Sequence, residues 1–355
     1  MKKGNLPETE ANLLEAGKNL LEMTVQELAD FMGEAGEAPF RGRQIFKWIQ
    51  SGAETFDEMS NLPLKLRGKL AEQAYIGLPE VLEVQRDESD GTKKLLFGLK
   101  DENCVEGVFM KYRYGSSICV SSQVGCKMGC TFCASALGGF VRNLTAGEML
   151  GQILAAEKIC GEKVNHVVVM GMGEPFDNYD SLSRFLRLLH EPLGKGMSYR
   201  NITVSTSGII PAIERFGDDF PQVNLAVSLH RADSRGRSRI MPVNEAYPLE
   251  TLLKAVRNHT EKTGRRVTFE YALIRGENDS DKDVKLLKEK LRGMLCHVNL
   301  IPLNRVDESG FQGSSRRRAE EIAAELVKSG IPATVRRELG AGIDGACGQL
   351  RRRRG

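Results

Sequence analysis

Residues 118–133 read ICVSSQVGCKMGCTFC, and the rest of the chain is best read outward from them. The first five, ICVSS, alternate like a β-strand. A loop with Gly125 and Gly129 follows and carries Cys126, Cys130 and Cys133. Beyond it, strand-like runs recur at HVVVM (166–170), ITVST (202–206), VNLAVSL (223–229), VTFEYALI (267–274), HVNLIPL (297–303) and ATVRR (333–337). Helical stretches separate most of them, such as 145–160, where Thr145-Ala-Gly-Glu148 forms a capping-box signature. Strands alternating with helices predict βαβ units and a parallel sheet curled into a full or partial barrel. Active-site residues in such folds sit at the C-terminal ends of the strands, where the cysteine loop falls.

Upstream the pattern changes. Residues 81–113 alternate as VLEVQ, KKLLFGL and EGVFMKYRY around an Asp90-Gly91 turn, which predicts a short antiparallel β extension. From Thr24 to about Tyr75 apolar residues recur at helical spacing between Gly and Pro, so this part reads as a small helical domain. Residues 1–22 are polar and read as frayed or loosely helical. The expected divisions are a polar segment (1–23), a small helical domain (24–78), the β extension (79–115), a partial (β/α)6-type barrel (116–340) and a C-terminal tail (341–355). The fold class is therefore α/β.

Composition narrows the classes of function. With 41% hydrophobic and 27% charged residues over 355 positions, wholesale disorder is excluded. No run reaches the length of a membrane helix and no export signal is visible, so a cytoplasmic protein is expected. The net charge of +3 hides an asymmetry: residues 1–100 hold 13 Lys+Arg against 17 Asp+Glu, leaving 37 against 30 in the remainder. A basic body permits a phosphate-rich partner without demanding one. The basic groups singled out are Arg41, Arg43, Lys47, Arg142, Arg316–Arg318, Arg336, Arg337 and the run Arg351–Arg354.

Eight cysteines in a cytoplasmic chain of this length point to metal ligands or reactive thiols rather than a disulfide scaffold. Three thiolates within eight residues can converge on one metal centre. Structural zinc would need a fourth ligand, with His166 and Cys119 as candidates. An iron–sulfur cluster held by only three Cys keeps one iron open to a substrate or cofactor. Gly171-Met-Gly173-Glu174-Pro175 follows one strand, Ser205 ends the next, Ser228-Leu229-His230 ends another and Asn304 follows HVNLIPL. Each is a polar group on the face where a parallel barrel presents its ligand.

The CxxxCxxC spacing after the first barrel strand resembles the radical S-adenosylmethionine (SAM) superfamily. Together FRGRQIFKWI (40–49), CVSSQVGC (119–126), GMGEP (171–175), VSTSGIIPAI (204–213), SLH (228–230), HVNLIPLN (297–304) and ACGQL (346–350) resemble the dual-specificity RNA methyltransferase family of the RlmN type, over about residues 24–350. The resemblance implies a [4Fe–4S] cluster on Cys126, Cys130 and Cys133, whose open iron chelates SAM and whose electron cleaves it to a 5′-deoxyadenosyl radical. It implies SAM contacts at Gly173, Glu174, Ser205, Ser228, Leu229, His230 and Asn304, with two SAM consumed per turnover. The implied reaction is methylation of carbon 2 of an adenosine in 23S rRNA and tRNA. Cys347 takes a methyl from one SAM, the radical from a second activates that methyl, and the resulting carbon radical adds to the base. Glu106 accepts the carbon-2 proton, and Cys119 resolves the protein–RNA adduct through a transient disulfide with Cys347. The implied partners are 23S rRNA, tRNA and an external electron donor such as flavodoxin or ferredoxin, with no membrane, and a monomer is expected. Three alternatives stay open on the residues: a cousin of the family that methylates carbon 8, a zinc-stabilised RNA-binding module, and a radical-SAM enzyme acting on protein or a small molecule.

Overall fold

The computed structural model describes residues 17–304, 309–337, 339–343, 349 and 350. Cys347 and Arg351–Arg354 lie outside the described residues. Of the polar segment 1–22, residues 1–16 lie outside the described residues, and the remainder is structured. Lys18–Asn19 pairs in parallel with Ala74–Tyr75, and Leu20–Glu22 forms a turn of 3-10 helix that buries Leu20 and Leu21. That apolar pair needs a surface, and the helix Ala146–Cys160 supplies one: a Cβ on its Gly151 would stand 3.4 Å from Leu21, and one on Gly147 only 2.5 Å from Glu22.

Three helices follow, α1 (Val25–Glu34), α2 (Phe40–Gln50) and α3 (Leu64–Gln73). A reciprocal capping box between Thr24 and Glu27 starts α1. Where α1 and α2 cross, a Cβ on Gly42 would lie 2.4 Å from the Ala29 backbone nitrogen, so only glycine allows the approach. Arg184 pins the domain to the body, with its Nε donating to Glu22 O at 2.8 Å and its guanidinium pairing with Glu27.

The body is one ten-stranded sheet whose strands lie in chain order. They are β1 (Glu80–Arg86), β2 (Lys93–Gly98), β3 (Cys104–Tyr112), β4 (Gly115–Val120), β5 (Val164–Val169), β6 (Ile202–Thr206), β7 (Asn224–Ser228), β8 (Val267–Leu273), β9 (Cys296–Pro302) and β10 (Ala333–Val335). From β4 to β10 all pairings are parallel, whereas β1 to β4 form an antiparallel meander joined to the edge of the barrel strands. The β extension is thus continuous with the barrel sheet. Helices including Ala146–Cys160, Tyr179–His190 and Leu249–Thr263 follow the parallel strands, as right-handed crossovers require. The helix-covered face of the strands is apolar, while the other face carries polar residues and lines the cavities.

Register decides what the site contains. Directly paired residues share a face, as do alternate residues along a strand. The pairs Val108↔Cys119, Cys119↔Val168, Val168↔Thr203 and Thr203↔Asn224 carry one face from β3 to β7. Ser228↔Glu270 and Glu270↔Asn299 continue it to β9. Glu106, Cys119, Ser205 and Ser228 all lie on this single face, although they are distributed over more than 120 positions of sequence.

Candidate active site

At the C-terminal ends of the barrel strands this face opens into a cavity of roughly 160 Å³. Cys126, Cys130 and Cys133 line it from the loop after β4, which begins with a short strand, Gln123–Gly125. Gly125 has φ +76, and a Cβ there would lie 1.7 Å from Gly139 O, so the loop can fold back only at a glycine. The opposite wall carries Gly173, Glu174, Ser205, Ser228, His230 and Asn304, together with Thr206, Ser207, Glu270 and Arg336. Six of the seven sequence-predicted SAM contacts therefore meet the three cysteines around one space. Leu229 does not join them. Its side chain is buried behind the wall, and its carbonyl accepts from Arg231 N–H at 2.7 Å and from Arg237 Nε at 3.2 Å.

The wall is wired to backbone. Glu174 is buried, and its two oxygens accept from Phe176 N–H at 3.0 Å and Ser207 N–H at 2.6 Å. Burial raises its carboxyl above the usual range against the pull of these hydrogen bonds. Gln123 sets the turn that presents it: Gln123 Oε1 accepts from Glu174 N–H at 2.8 Å, and its amide donates to Asn143 and Asp177. Gly173 has φ +103, and a Cβ there would sit 2.6 Å from Gln123 Cβ. His230 holds a left-handed backbone, φ 54, that is rare for a side chain of its size. Its Nδ1 accepts from Ala272 N–H at 2.9 Å, so Nε2 carries the proton. Burial, with the Arg237 charge in support, lowers its pKa to about 3, and the ring is a neutral donor throughout the physiological range.

Arg237 was not singled out from sequence, yet it is among the largest fully buried side chains. Its guanidinium donates to the carbonyls of Ser207 (2.7 Å), Ser228 (3.0 Å) and Leu229 (3.2 Å) and to Asn244 Oδ1 (3.1 Å). One side chain thus fixes the ends of β6 and β7 together, and burial lowers its pKa to about 10. Glu270, the other acid on the inner wall, accepts from Asn299 Nδ2 at 2.8 Å.

The donor set fits a cluster. Cys126, Cys130 and Cys133 line one cavity from a single loop, the three-thiolate set that would hold a cluster with one iron left open. A tetrahedral zinc would need sulfurs about 2.3 Å from one centre. The fourth zinc ligand is not in place: neither Cys119 nor His166 lines this cavity, and His166 opens at the other mouth of the sheet. Burial pushes the Cys126 thiol up to about 12 and the Cys130 thiol well up, so a cationic centre is needed to hold them as thiolates.

Glu106 and Cys119 lie on the same sheet face as the strand-end polar residues, though neither lines the cavity. Glu106 is fully buried, where a lone strand carboxylate would ordinarily be exposed, and lies 3.5 Å from the buried Lys94 ammonium on the neighbouring strand. No disulfide joins the seven cysteines among the described residues, and the Cys119–Cys347 pairing falls on Cys347, outside them. The described residues flanking Cys347 are anchored: Gly340 and Gly342 N–H donate to Asp90 and Asp87 in the β1–β2 turn, and Leu350 O accepts from Ser135 Oγ at 2.6 Å, two residues past Cys133.

Several of the basic groups singled out have carboxylate partners. Arg142 bonds Asp101 at 2.6 Å and Glu148 at 2.8 Å. Arg316, Arg317 and Arg318 pair with Glu320, Glu321 and Asp281. Arg43 and Lys47 on α2 stay exposed, with no carboxylate partner among the described residues.

Comparison with known proteins places this geometry. Residues 18–76 match the ribosomal RNA large subunit methyltransferase N-terminal domain, and residues 120–287 match the radical SAM superfamily. The chain is 49% identical over 336 residues to the probable dual-specificity RNA methyltransferase RlmN of Clostridium perfringens, covering 94% of this chain and 97% of that one. It is likewise 49% identical to the protein of that name from Alkaliphilus oremlandii, over 94% and 98% of the two chains. The crystal structure of a radical SAM methyltransferase from Sphaerobacter thermophilus superposes with a TM-score of 0.91 at 44% identity, over 94% of this chain and 99% of that one. An N-terminal helical domain, a cysteine-lined barrel mouth and relatedness along nearly the whole chain lead to one conclusion: the chain belongs to the RlmN family of dual-specificity RNA methyltransferases, within the radical SAM superfamily.

Proposed function

We propose that the protein methylates carbon 2 of an adenosine in 23S rRNA and in tRNA, with its chemistry in the cavity at the C-terminal mouth of the sheet. The observation that carries this reading is one sheet face that holds Cys119 and Glu106 and ends, at its C-terminal mouth, in the cavity lined by Cys126, Cys130 and Cys133. The cluster and SAM, when bound, supply one-electron cleavage of SAM and hence the means to attack a carbon that is not nucleophilic.

The chain's own residues supply the rest. Glu174 faces the methionyl ammonium, a cation that would draw its raised pKa back down. Gly173 keeps the wall open to SAM, and His230 Nε2–H, Ser205, Ser228 and Asn304 offer polar groups to the remainder of the molecule. Cys347 carries the transferred methyl group, and one SAM for this step with one for the radical makes two per turnover. Glu106 takes the proton from carbon 2 of the base, with Lys94 balancing its charge in a dry site. Cys119 then attacks the Cys347 sulfur, so that a sulfur–sulfur bond forms as the bond from sulfur to the methylene carbon breaks. Anchoring of the chain on both sides of Cys347, at Asp87 and Asp90 and again at Ser135, supports its delivery to this mouth.

An external flavodoxin- or ferredoxin-type donor supplies the electron, and the protein works as a cytoplasmic monomer, since it carries its own RNA-facing domain. No helix among the described residues is long and apolar enough to cross a membrane. Reduced enzyme, SAM and unmodified tRNA or an rRNA fragment, followed by NMR and mass analysis of the product nucleoside, test the reading. 2-Methyladenosine is expected; 8-methyladenosine would place the protein with the carbon-8 enzymes, and unmethylated RNA would refute the activity.

A further inference from the structure

The same sheet has a second opening at the N-terminal ends of β5, β6 and β7, on the side away from the cysteines. A cavity of roughly 200 Å³ lies there, lined by Tyr112, Tyr114, His166, Arg200 and Asn224 among others. Tyr112 and Tyr114 flank the β3–β4 turn, and their rings stack at 5.0 Å with an interplanar angle of 9°. Tyr114 meets the His166 ring edge-on at 5.3 Å, yet remains 68% exposed. His166 Nδ1 is buried with no hydrogen-bond partner, an unsatisfied polar atom inside the cavity. Arg113, Lys163, Arg200 and Arg266 all sit in turns that precede strands at this end, and all are exposed or lie on the rim. None of the four has a carboxylate partner among the described residues, while the nearby Glu162 is neutralised by Lys111 and Ser116.

We propose that this mouth is a second RNA-contact site that takes one unpaired nucleotide of the substrate RNA outside the reacting adenosine. The base stacks on Tyr114 beside the His166 ring, and Arg200 and Arg113 hold the adjoining phosphates. An exposed aromatic platform ringed by unpaired cations is the general arrangement for single-stranded nucleic acid. An acidic peptide would use the cations but not the stacked rings. The choice of RNA rests on the proposed function, whereas the site itself rests on the geometry. Because this mouth lies at the opposite ends of the strands from the cysteine loop, with Arg336 lining both cavities, it contributes to binding RNA and not to the rate of the bound complex.

The full-length holoenzyme tests this. With unmodified tRNA, Tyr114→Ala is expected to raise KM for RNA about tenfold, within the range of base stacking on an aromatic ring. kcat stays unchanged, as does RNA-independent cleavage of SAM, and Tyr114→Phe restores the wild-type KM. Arg200→Gln is expected to lower the slope of log KM against log salt by about one phosphate contact. Photocrosslinking of 4-thiouridine-substituted tRNA should label the peptide that contains Tyr114. A KM for Tyr114→Ala within twofold of wild type, or crosslinks confined to other peptides, would overturn the site while leaving the methylation reading intact. A wild-type protein that crosslinks tRNA at Tyr114 without methylating it would support the site and refute the activity.

Discussion

The two mouths of this sheet use the same face and the same strands, yet they are built in opposite ways. At the C-terminal mouth, polar groups are buried and tied to backbone: Glu174 to Phe176 and Ser207, His230 to Ala272, Arg237 to three carbonyls. At the N-terminal mouth they are exposed, cationic and without carboxylate partners among the described residues, with a stacked tyrosine pair in their midst. Radical chemistry needs a dry cavity whose walls do not move, and backbone-anchored side chains supply it. Recognition of a large polyanion needs reach and counter-charge, which exposed arginines supply.

Breaking the first mouth should cost most. Cys130→Ala is expected to abolish turnover and bound iron together, as iron analysis and methyl-transfer assays would show; retention of a full cluster would separate this cysteine from the site. Arg237→Met comes next. It removes the guanidinium from the Ser207 and Ser228 carbonyls and Asn244 Oδ1, while the Leu229 carbonyl keeps Arg231 N–H, and at about 1–3 kcal/mol for each unsatisfied group a loss of at least about 3 kcal/mol is expected in denaturant unfolding. Gly173→Ala should cost about 1–3 kcal/mol for a side chain forced to φ +103 and should weaken SAM binding about tenfold by calorimetry. Arg142 sharpens the comparison: Arg142→Ala should lose about 1–2 kcal/mol of stability with the Asp101 and Glu148 contacts, while KM for RNA stays at the wild-type value.

The first mouth also sets a pH dependence. The unfolded chain binds a proton at His230 below about 6.5, whereas the folded protein excludes it down to about 3. The unfolded state therefore holds more protons in that window, and stability falls as pH drops through it. His230→Gln should flatten the acid limb of a stability–pH curve; an unchanged limb would show that His230 is not buried as a neutral ring.

The parts legible in the sequence were those encoded over short spans. The cysteine loop, the Thr145–Glu148 capping box and the polar residues at successive strand ends are each fixed by a few neighbouring residues, and their positions on a βαβ pattern gave the ligand mouth. What escaped depends on pairing between distant segments. Glu106 becomes a buried acid only because β2 brings Lys94 alongside it. Arg237 looks like a surface arginine in SRGRSRI until β6 and β7 are seen to end around it. Arg142, next to the cysteine loop, looked available for phosphate but is taken by Asp101, 41 positions upstream. Leu229 shares a tripeptide with two cavity residues yet turns away, because strand alternation sends its side chain to the opposite face. Leu20 and Leu21 lie in a polar stretch and become core only when the barrel helix offers its glycines.

The central claim is that Cys119 and Cys347 act together at the C-terminal mouth to move a methyl group onto RNA. Incubating the Cys119→Ala holoenzyme with reductant, SAM and unmodified tRNA tests it most directly. The account predicts a covalent protein–RNA complex, resistant to denaturation, whose attachment maps by mass spectrometry to the peptide containing Cys347. Free 2-methyladenosine-containing tRNA released at the wild-type rate, with no covalent complex, would contradict it.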